Sequence, residues 1–208
     1  MLDERKVEVR PGEHVLIVGE PGSGKTLLFR ALAGLWPWGG GRIRRPSGAS
    51  IFFLPRRPYL PNVTLRELIA YPQRVENFEL PVFGEALGRV GLARLVSMLD
   101  RVSRWDEELN WDDQQRLMLA RLLIHRPRWL VLDEMLDSID GETRSRAFEI
   151  FSKDLRNSAI LHIGRGNAAV PSFTRLVRIV KHPGMRSLAR REPHEVPPPP
   201  GMSAAASA

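Results

Sequence analysis

Short runs of aliphatic and β-branched residues alternate along this chain with longer segments of helical spacing. Runs of this kind, bounded by turn residues, predict buried parallel strands. They occupy residues 14–18, 49–54, 129–132, 159–163 and 176–180. The helical spacing predicts one helix over 26–33, stopping at Gly34, and another over 142–151. Strands and helices in this order predict an α/β fold with a parallel sheet.

The stretch between the second and third predicted strands has a different pattern, because its apolar spacing is helical throughout. Thr64 and Glu67 form a predicted capping box at the start of a first helix. Further helices are predicted over 83–90, 92–99 and about 113–124, the last of these ending before Pro127. In that last helix, Asp112 is predicted to be the N-cap, with Gln115 at the third helical position.

These patterns divide the chain into parts. We predict a P-loop, RecA-like core formed by residues 1–54 and 126–182, with an α-helical subdomain inserted at 55–125. The remaining residues, 183–208, are rich in Pro and Ala. Such a composition cannot bury enough apolar surface to fold, so we expect this tail to be disordered.

The turn between the first predicted strand and helix reads GEPGSGKT, which fits the phosphate-binding P-loop pattern at every defined position. Its glycines let the backbone wrap a phosphate, and the N–H groups and the helix N-terminus attract the anion. Lys25 is expected to reach the β- and γ-phosphates, and the Thr26 hydroxyl to bind Mg²⁺. The candidate nucleotide-binding residues here are Gly19, Glu20, Pro21, Gly22, Ser23, Gly24, Lys25 and Thr26.

A second motif supplies the acidic groups that a P-loop requires. The apolar run 130–132 ends in two adjacent carboxylates, Asp133 and Glu134. Asp133 is predicted to hold Mg²⁺, directly or through water. Glu134 is predicted to orient or deprotonate the attacking water, so that Glu134 and Lys25 are the candidate catalytic residues.

Composition narrows the classes of function. The 208 residues contain no cysteine, which excludes disulfides and cysteine-based metal sites. No apolar run is long enough to cross a membrane, and residues 1–6 are no signal peptide. The formal charge is +7, but the arginines are spread along the chain without a basic helix or an aromatic stacking motif. We therefore expect no nucleic-acid partner.

The segment LNWDDQQR at 109–116, followed by Leu119-Ala120-Arg121 and the acidic strand, resembles the signature region of an ABC ATPase. Residues 55–61 resemble the Q-loop, and residues 137–140 resemble the D-loop. The sequences of segments 34–43 and 125–129 are similar to those of peroxisomal fatty-acyl-CoA transporters and of their bacterial peptide- and vitamin-uptake relatives. The resemblance covers roughly residues 5–182.

This resemblance implies an ATP-hydrolysing transporter subunit with ATP and Mg²⁺ as cofactors. It implies a head-to-tail dimer with a second ABC ATPase domain, identical or different, and a membrane-spanning partner subunit. It further implies a peripheral location on the cytoplasmic face of a membrane. Because this branch fuses its ATPase to a membrane domain, the chain is expected to be either an independent subunit or a shortened form.

Four positions depart from the family pattern. Arg56 replaces the Q-loop glutamine and Arg165 replaces the switch histidine, and both are candidate nucleotide-binding residues. Asn110 and Asp112 replace the signature serine and glycine, and the Asp112 carboxylate would repel a partner's γ-phosphate. His162 lies shortly before the preferred position, and a core or strand-end histidine is its favoured interpretation. No aromatic residue that could stack on adenine precedes Pro11.

Three functions therefore stay open. The intact Lys25, Thr26, Asp133 and Glu134 favour an ABC-type ATPase, and the four replacements favour weakened hydrolysis. Alternatively, the chain is a degenerate subunit that binds nucleotide without hydrolysing it. A soluble P-loop kinase is the third, although it would not explain the Gln-Gln-Arg segment before the acidic strand.

Overall fold

The computed structural model describes residue 2 and residues 6–46, 51–165 and 173–180. It contains a five-stranded and a two-stranded sheet. The strands are β1 (His14–Gly19), β2 (Ile51–Leu54), β3 (Val63–Thr64), β4 (Val102–Ser103), β5 (Trp129–Asp133), β6 (Ala159–Gly164) and β7 (Arg175–Ile179). In the larger sheet the order is β2-β5-β6-β1-β7 and all neighbours are parallel. The α/β fold with a parallel sheet is therefore confirmed.

Helices connect and cover these strands. They are α1 (Lys25–Leu32), α2 (Leu65–Ala70), α3 (Leu80–Arg89), α4 (Trp105–Glu108), α5 (Trp111–His125) and α6 (Gly141–Lys153), with 3₁₀ helices at Val75–Asn77 and Ala93–Met98. Four of them, α2 to α5, lie within the predicted inserted region 55–125. Among the described residues, no helix is long and apolar enough to cross a membrane.

The larger sheet has apolar residues on both faces, as expected for a parallel sheet covered on both sides. On one face Val15, Ile17 and Val131 share a cluster with Phe29 of α1. On the other face Leu54, Leu132 and Ile160 belong to the main core with residues of α2, α3, α5 and α6. Helix α5 is part of this core and is buried on most of its surface, with Leu117, Leu119 and Leu122 fully inaccessible.

The strand register brings the predicted chemical groups to one edge. Val18 pairs with Gly164 across β1 and β6, and Asp133 pairs with Ile163 across β5 and β6. The P-loop, Glu134 and Arg165 therefore all leave the carboxyl ends of adjacent parallel strands. Ligands of open α/β sheets bind outside these ends.

The predicted inserted region differs from an all-helical unit. The segment predicted as a helix over 92–99 is a 3₁₀ helix, Ala93–Met98. A small sheet pairs Val63 with Ser103, and the Trp105 indole donates to the Val63 carbonyl at 2.9 Å. Two-residue strands and a four-residue helix are too short to leave a periodic pattern, so the sequence did not predict them.

The predicted cap of α5 is wrong. Helix α5 begins at Trp111, and its N-cap is Asn110, whose side-chain oxygen accepts from the Asp113 N–H at 2.8 Å. Asp112 lies in the first turn, where its charge suits the helix dipole. By contrast, the predicted Thr64–Glu67 capping box at α2 is present. The predicted tail 183–208, and residues 181–182 of the predicted core, lie outside the described residues.

Candidate nucleotide site

A cavity of about 1140 Å³ opens at the carboxyl edge of the sheet, under the P-loop. It brings together nine of the residues that the sequence predicted for the site: Gly19, Glu20, Pro21, Gly22, Gly24, Lys25, Thr26, Glu134 and Arg165. Arg56 lies outside the lining but contacts Glu134. Ser23 and Asp133 also lie outside it. Most of the P-loop and Glu134 of the acidic motif therefore face a common space.

The P-loop backbone depends on its glycines. Gly22 and Gly24 have φ values of 74° and 97°, in the left-handed region that side chains disfavour. A Cβ on Gly19 would collide with Ser23 Oγ and lie 3.1 Å from Ile179 Cβ. Gly24 is also the N-cap of α1 and offers no capping side chain, so the first N–H groups of the helix remain available to an anion.

The Lys25 ammonium is held inside the loop. Lys25 is 7% exposed, and its Nζ donates to the Gly19 carbonyl at 2.7 Å and to the Glu20 carbonyl at 3.4 Å. The same nitrogen lies 3.7 Å from Glu134 Oε1. Since a buried ammonium needs partners, these carbonyls hold it at the position from which it can reach a phosphate.

Glu134 follows β5 with a left-handed backbone, at φ 49°. Its N–H donates to the Ile163 carbonyl at 2.7 Å, which fixes it beside the end of β6. Three cations surround its carboxylate. Arg56 Nη1 and Arg165 Nη2 lie 3.6 and 3.7 Å from Oε2, while Lys25 lies 3.7 Å from Oε1. These separations are ion-pair distances that are too long for hydrogen bonds.

Asp133 fits a metal ligand. It is 6% exposed, and its Oδ1 has no hydrogen-bond partner among the described residues. Burial raises the pKa of Asp133 above its ordinary value, and the neighbouring Glu134 carboxylate raises it further. A buried, unpartnered carboxylate oxygen suits a hard cation such as Mg²⁺. Within the described residues no group of three or more His, Cys, Asp or Glu could hold a metal alone, so a Mg²⁺ ion here would need further oxygen ligands from hydroxyl, phosphate or water.

The main chains of both arginines beside Glu134 are anchored. The fully buried Gln115 donates from Nε2 to the Arg56 carbonyl at 3.0 Å. Asp137 Oδ2 accepts from the Arg165 N–H at 2.9 Å. Gly164 makes room for this second contact, because a Cβ there would come within 2.7 Å of Asp137 Oδ2. Sequence reasoning assigned neither anchor, since both contacts join residues far apart in the chain.

His162 is a core histidine, as the favoured interpretation held. It is 1% exposed, and its ring stacks on Phe173 with centroids 5.6 Å apart. Neither ring nitrogen has a hydrogen-bond partner among the described residues. Burial lowers the pKa of His162 to about 4, although the charge of Glu134 opposes this shift. The ring is therefore neutral at ordinary pH.

The segment that resembles the signature is bound to the loop after β5. The Trp111 indole donates to the Ser138 carbonyl at 3.2 Å. Asp112 Oδ1 accepts from the Asp140 N–H at 3.3 Å, and Asp140 is itself the N-cap of α6. Asp112 therefore has a structural partner in its own chain, in place of the predicted cap.

Strand β7 adds residues that sequence reasoning missed. Arg178, Ile179 and Val180 line the cavity beside the P-loop. They lie there because β7 pairs with β1, with Val18 opposite Arg178. The apolar run 176–180 did predict a strand, but a run alone does not state which strand lies next to it.

Comparison with known proteins agrees with this geometry. A sequence profile described as "ABC transporter" matches residues 2–137. An uncharacterised ABC transporter ATP-binding protein of Synechocystis is 41% identical over 151 residues, which are 71% of this chain and 23% of that protein. The mouse ATP-binding cassette sub-family D member 3 is 36% identical over 200 aligned positions, and the match covers 84% of this chain and 30% of that protein.

A third relative is the inner membrane ABC transporter ATP-binding protein YddA of Escherichia coli. It is 31% identical over 165 residues, 78% of this chain and 28% of that protein. The matches to these three relatives thus span between 23% and 30% of the relatives' length.

Proposed function

Because this chain belongs to the ABC transporter ATP-binding family, we propose that it binds Mg-ATP and hydrolyses it slowly to ADP and phosphate. The observation that carries the proposal is the shared cavity, where the P-loop, Lys25 and Glu134 face one space. Bound ATP supplies the phosphoryl group, and bound Mg²⁺ neutralises its charge. The protein positions the phosphates and the attacking water.

Phosphate binding uses groups that are already placed. The N–H groups of the P-loop and of the first turn of α1 point to the anion. The Lys25 ammonium, now on the Gly19 and Glu20 carbonyls, turns to the β- and γ-phosphates. The Thr26 hydroxyl and the unpartnered oxygen of Asp133 would hold Mg²⁺.

Hydrolysis requires a base, and we assign that role to Glu134. Its carboxylate accepts the proton of the water that attacks the γ-phosphate. The four replacements Arg56, Asn110, Asp112 and Arg165 stand where the family resemblance expects groups that contact the γ-phosphate. Because catalysis of this kind depends on positioning and charge stabilisation, the loss of those groups slows turnover.

We place this activity in a transporter. In the proposed assembly the chain dimerises with a second ABC ATPase domain and drives a membrane-spanning subunit from the cytoplasmic face of the membrane. The names of the three relatives, all ABC transporter or ATP-binding cassette proteins, support this assignment.

A second candidate is a nucleotide-binding subunit that does not hydrolyse. The observation that favours it is the pair of arginines on Glu134, at the positions where the family resemblance expects glutamine and histidine. Both candidates share the nucleotide site and differ only in turnover.

Equilibrium binding of Mg-ATP to wild type and to Lys25→Ala tests the shared part. We expect the substitution to weaken binding by at least about tenfold, because it removes a charge-assisted phosphate contact. Lys25→Met keeps the apolar stem and guards against a packing defect. Lys153→Ala, which removes an exposed lysine paired with Glu149, is the matched control. Unchanged affinity in both Lys25 variants would refute the P-loop assignment.

A further inference from the structure

Two arginines approach the same carboxylate oxygen from different loops. Arg56 follows β2 and Arg165 follows β6, yet both guanidinium groups lie near Oε2 of Glu134, at 3.6 and 3.7 Å. We propose that Arg56 and Arg165 form a clamp selective for the γ-phosphate of a nucleoside triphosphate, and that Glu134 occupies this clamp until the triphosphate displaces it. This inference rests on the proposed function, since it specifies how the same site distinguishes ATP from ADP.

The Glu134 carboxylate lies at ion-pair distance from three cations, Lys25, Arg56 and Arg165. The carboxylates of Asp133 and Asp137 act on members of this cluster from farther away. A γ-phosphate carries close to two negative charges and three acceptor oxygens, and can therefore compete with the single Glu134 carboxylate for these cations. Guanidinium groups also fit phosphate geometry through two parallel N–H donors. Thus a γ-phosphate has an electrostatic advantage over Glu134 for the arginines.

The two arginine side chains are placed so that they can move from Glu134 to a γ-phosphate. Their main chains are fixed by Gln115 and Asp137, through hydrogen bonds of 3.0 and 2.9 Å. Their side chains are 54% and 58% exposed, whereas that of Glu134 is only 16% exposed. None of the contacts to Glu134 is short enough to be a hydrogen bond. The guanidinium groups can therefore leave Glu134 while their backbones stay in place.

Transfer of the arginines has two consequences. ADP lacks the group that draws them away, so they contribute to ATP affinity and hardly to ADP affinity. A triphosphate also draws both arginines away from Glu134, so that its carboxylate is free to contact the attacking water only when ATP is present. Arg56 and Arg165 therefore determine specificity, and they control which partners Glu134 contacts.

The first test measures the affinities of the imido analogue of ATP and of ADP, both with Mg²⁺. In the double variant Arg56→Gln/Arg165→Gln we expect analogue affinity to fall by about tenfold and ADP affinity to change less than about twofold. The control is Arg128→Gln, which removes one positive charge at the opposite end of β5, roughly 16 Å away along the strand. Equal losses for both nucleotides would overturn the clamp.

The second test adds Glu134→Gln in both backgrounds. If Glu134 occupies the arginines, neutralising it releases them, and analogue binding tightens by about fivefold or more when the arginines are present. In the Arg56→Gln/Arg165→Gln background only Lys25 is left beside Glu134, so the gain is limited to the release of Lys25 and the removal of charge repulsion. If Glu134→Gln raised the affinity for the analogue equally in both backgrounds, the proposed movement of the arginines from Glu134 to the γ-phosphate would be refuted.

These outcomes are separable from failure of the proposed function. Wild-type protein that binds neither nucleotide contradicts the nucleotide site itself, and the clamp with it. Wild-type protein that binds both nucleotides with the same affinity keeps the nucleotide site and refutes the clamp alone.

Discussion

Asp137 and Arg165 are joined by a hydrogen bond that spans two loops, since Asp137 Oδ2 accepts the Arg165 N–H at 2.9 Å. The bond ties the loop after β5 to the end of β6. Both loops carry groups of the candidate site, Glu134 on one and Arg165 on the other. The bond therefore fixes the relative position of the proposed base and one of its cations.

Removing this acceptor should cost stability. We expect Asp137→Ala to lower the free energy of unfolding by about 1–2 kcal/mol, because the Arg165 N–H loses its charged partner. Asp137→Asn keeps an oxygen of the same shape and should lose less than half of that amount. Urea unfolding of the three proteins measures the difference. Equal losses in Asp137→Ala and Asp137→Asn would show that this hydrogen bond does not carry the effect.

The charge of Asp112 should oppose ATP-driven association. Its carboxylate replaces the glycine that, in the family resemblance, meets a partner's γ-phosphate. Asp112→Asn removes the charge and retains an oxygen for the Asp140 N–H, now accepted at 3.3 Å. We therefore expect this variant to form more dimer with Mg-ATP than wild type does, as measured by analytical ultracentrifugation.

Asp112→Gly separates charge from structure in the same experiment. It removes the repulsion together with the contact to Asp140, so it should also associate more strongly but unfold more easily than Asp112→Asn. Dimerisation that is unchanged in both variants would limit Asp112 to its role beside the start of α6.

His162 should make the fold sensitive to acid. Burial lowers the pKa of His162 to about 4, whereas an unfolded histidine titrates near its ordinary value of 6.5. The unfolded chain therefore binds a proton that the folded chain excludes, and stability falls with decreasing pH between these two values. From the size of the shift we expect a loss of about 3 kcal/mol across this window.

His162→Leu isolates this contribution. Leu16 and Leu132 flank position 162 in the sheet register, so an aliphatic side chain suits the site. The free energy of unfolding of this variant, measured by urea titration from pH 7 to pH 4, should fall less steeply than that of wild type. Parallel pH profiles would show that His162 does not cause the acid sensitivity.

Local patterns were sufficient to predict most of the fold. Strand β5 is a continuous apolar run in the sequence. The strands next to it are apolar runs as well, because a parallel sheet is buried on both faces. The capping box of α2 was equally local. The cap of α5 was not, because Asn110 and Asp112 are both good N-caps by type. In the structure Asn110 is the cap, and the Trp111 indole bonds to the Ser138 carbonyl in the loop after β5.

The sequence motifs of the candidate site could be predicted, but the contacts that hold Arg56 and Arg165 in place could not. The P-loop and the acidic strand end are contiguous in sequence, and the structure brings Lys25 and Glu134 to 3.7 Å. The contacts of Gln115 with Arg56 and of Asp137 with Arg165 span 59 and 28 residues. Such contacts depend on strand order and loop path, which hydrophobic spacing does not encode.

The most direct test is steady-state phosphate release from purified protein with Mg-ATP, beside ATP binding on the same sample. We expect binding with slow release in wild type, and binding without release in Glu134→Gln. Release that persists in Glu134→Gln would contradict the assignment of the base. Binding without any release in wild type would contradict hydrolysis and leave the nucleotide-binding subunit as the function.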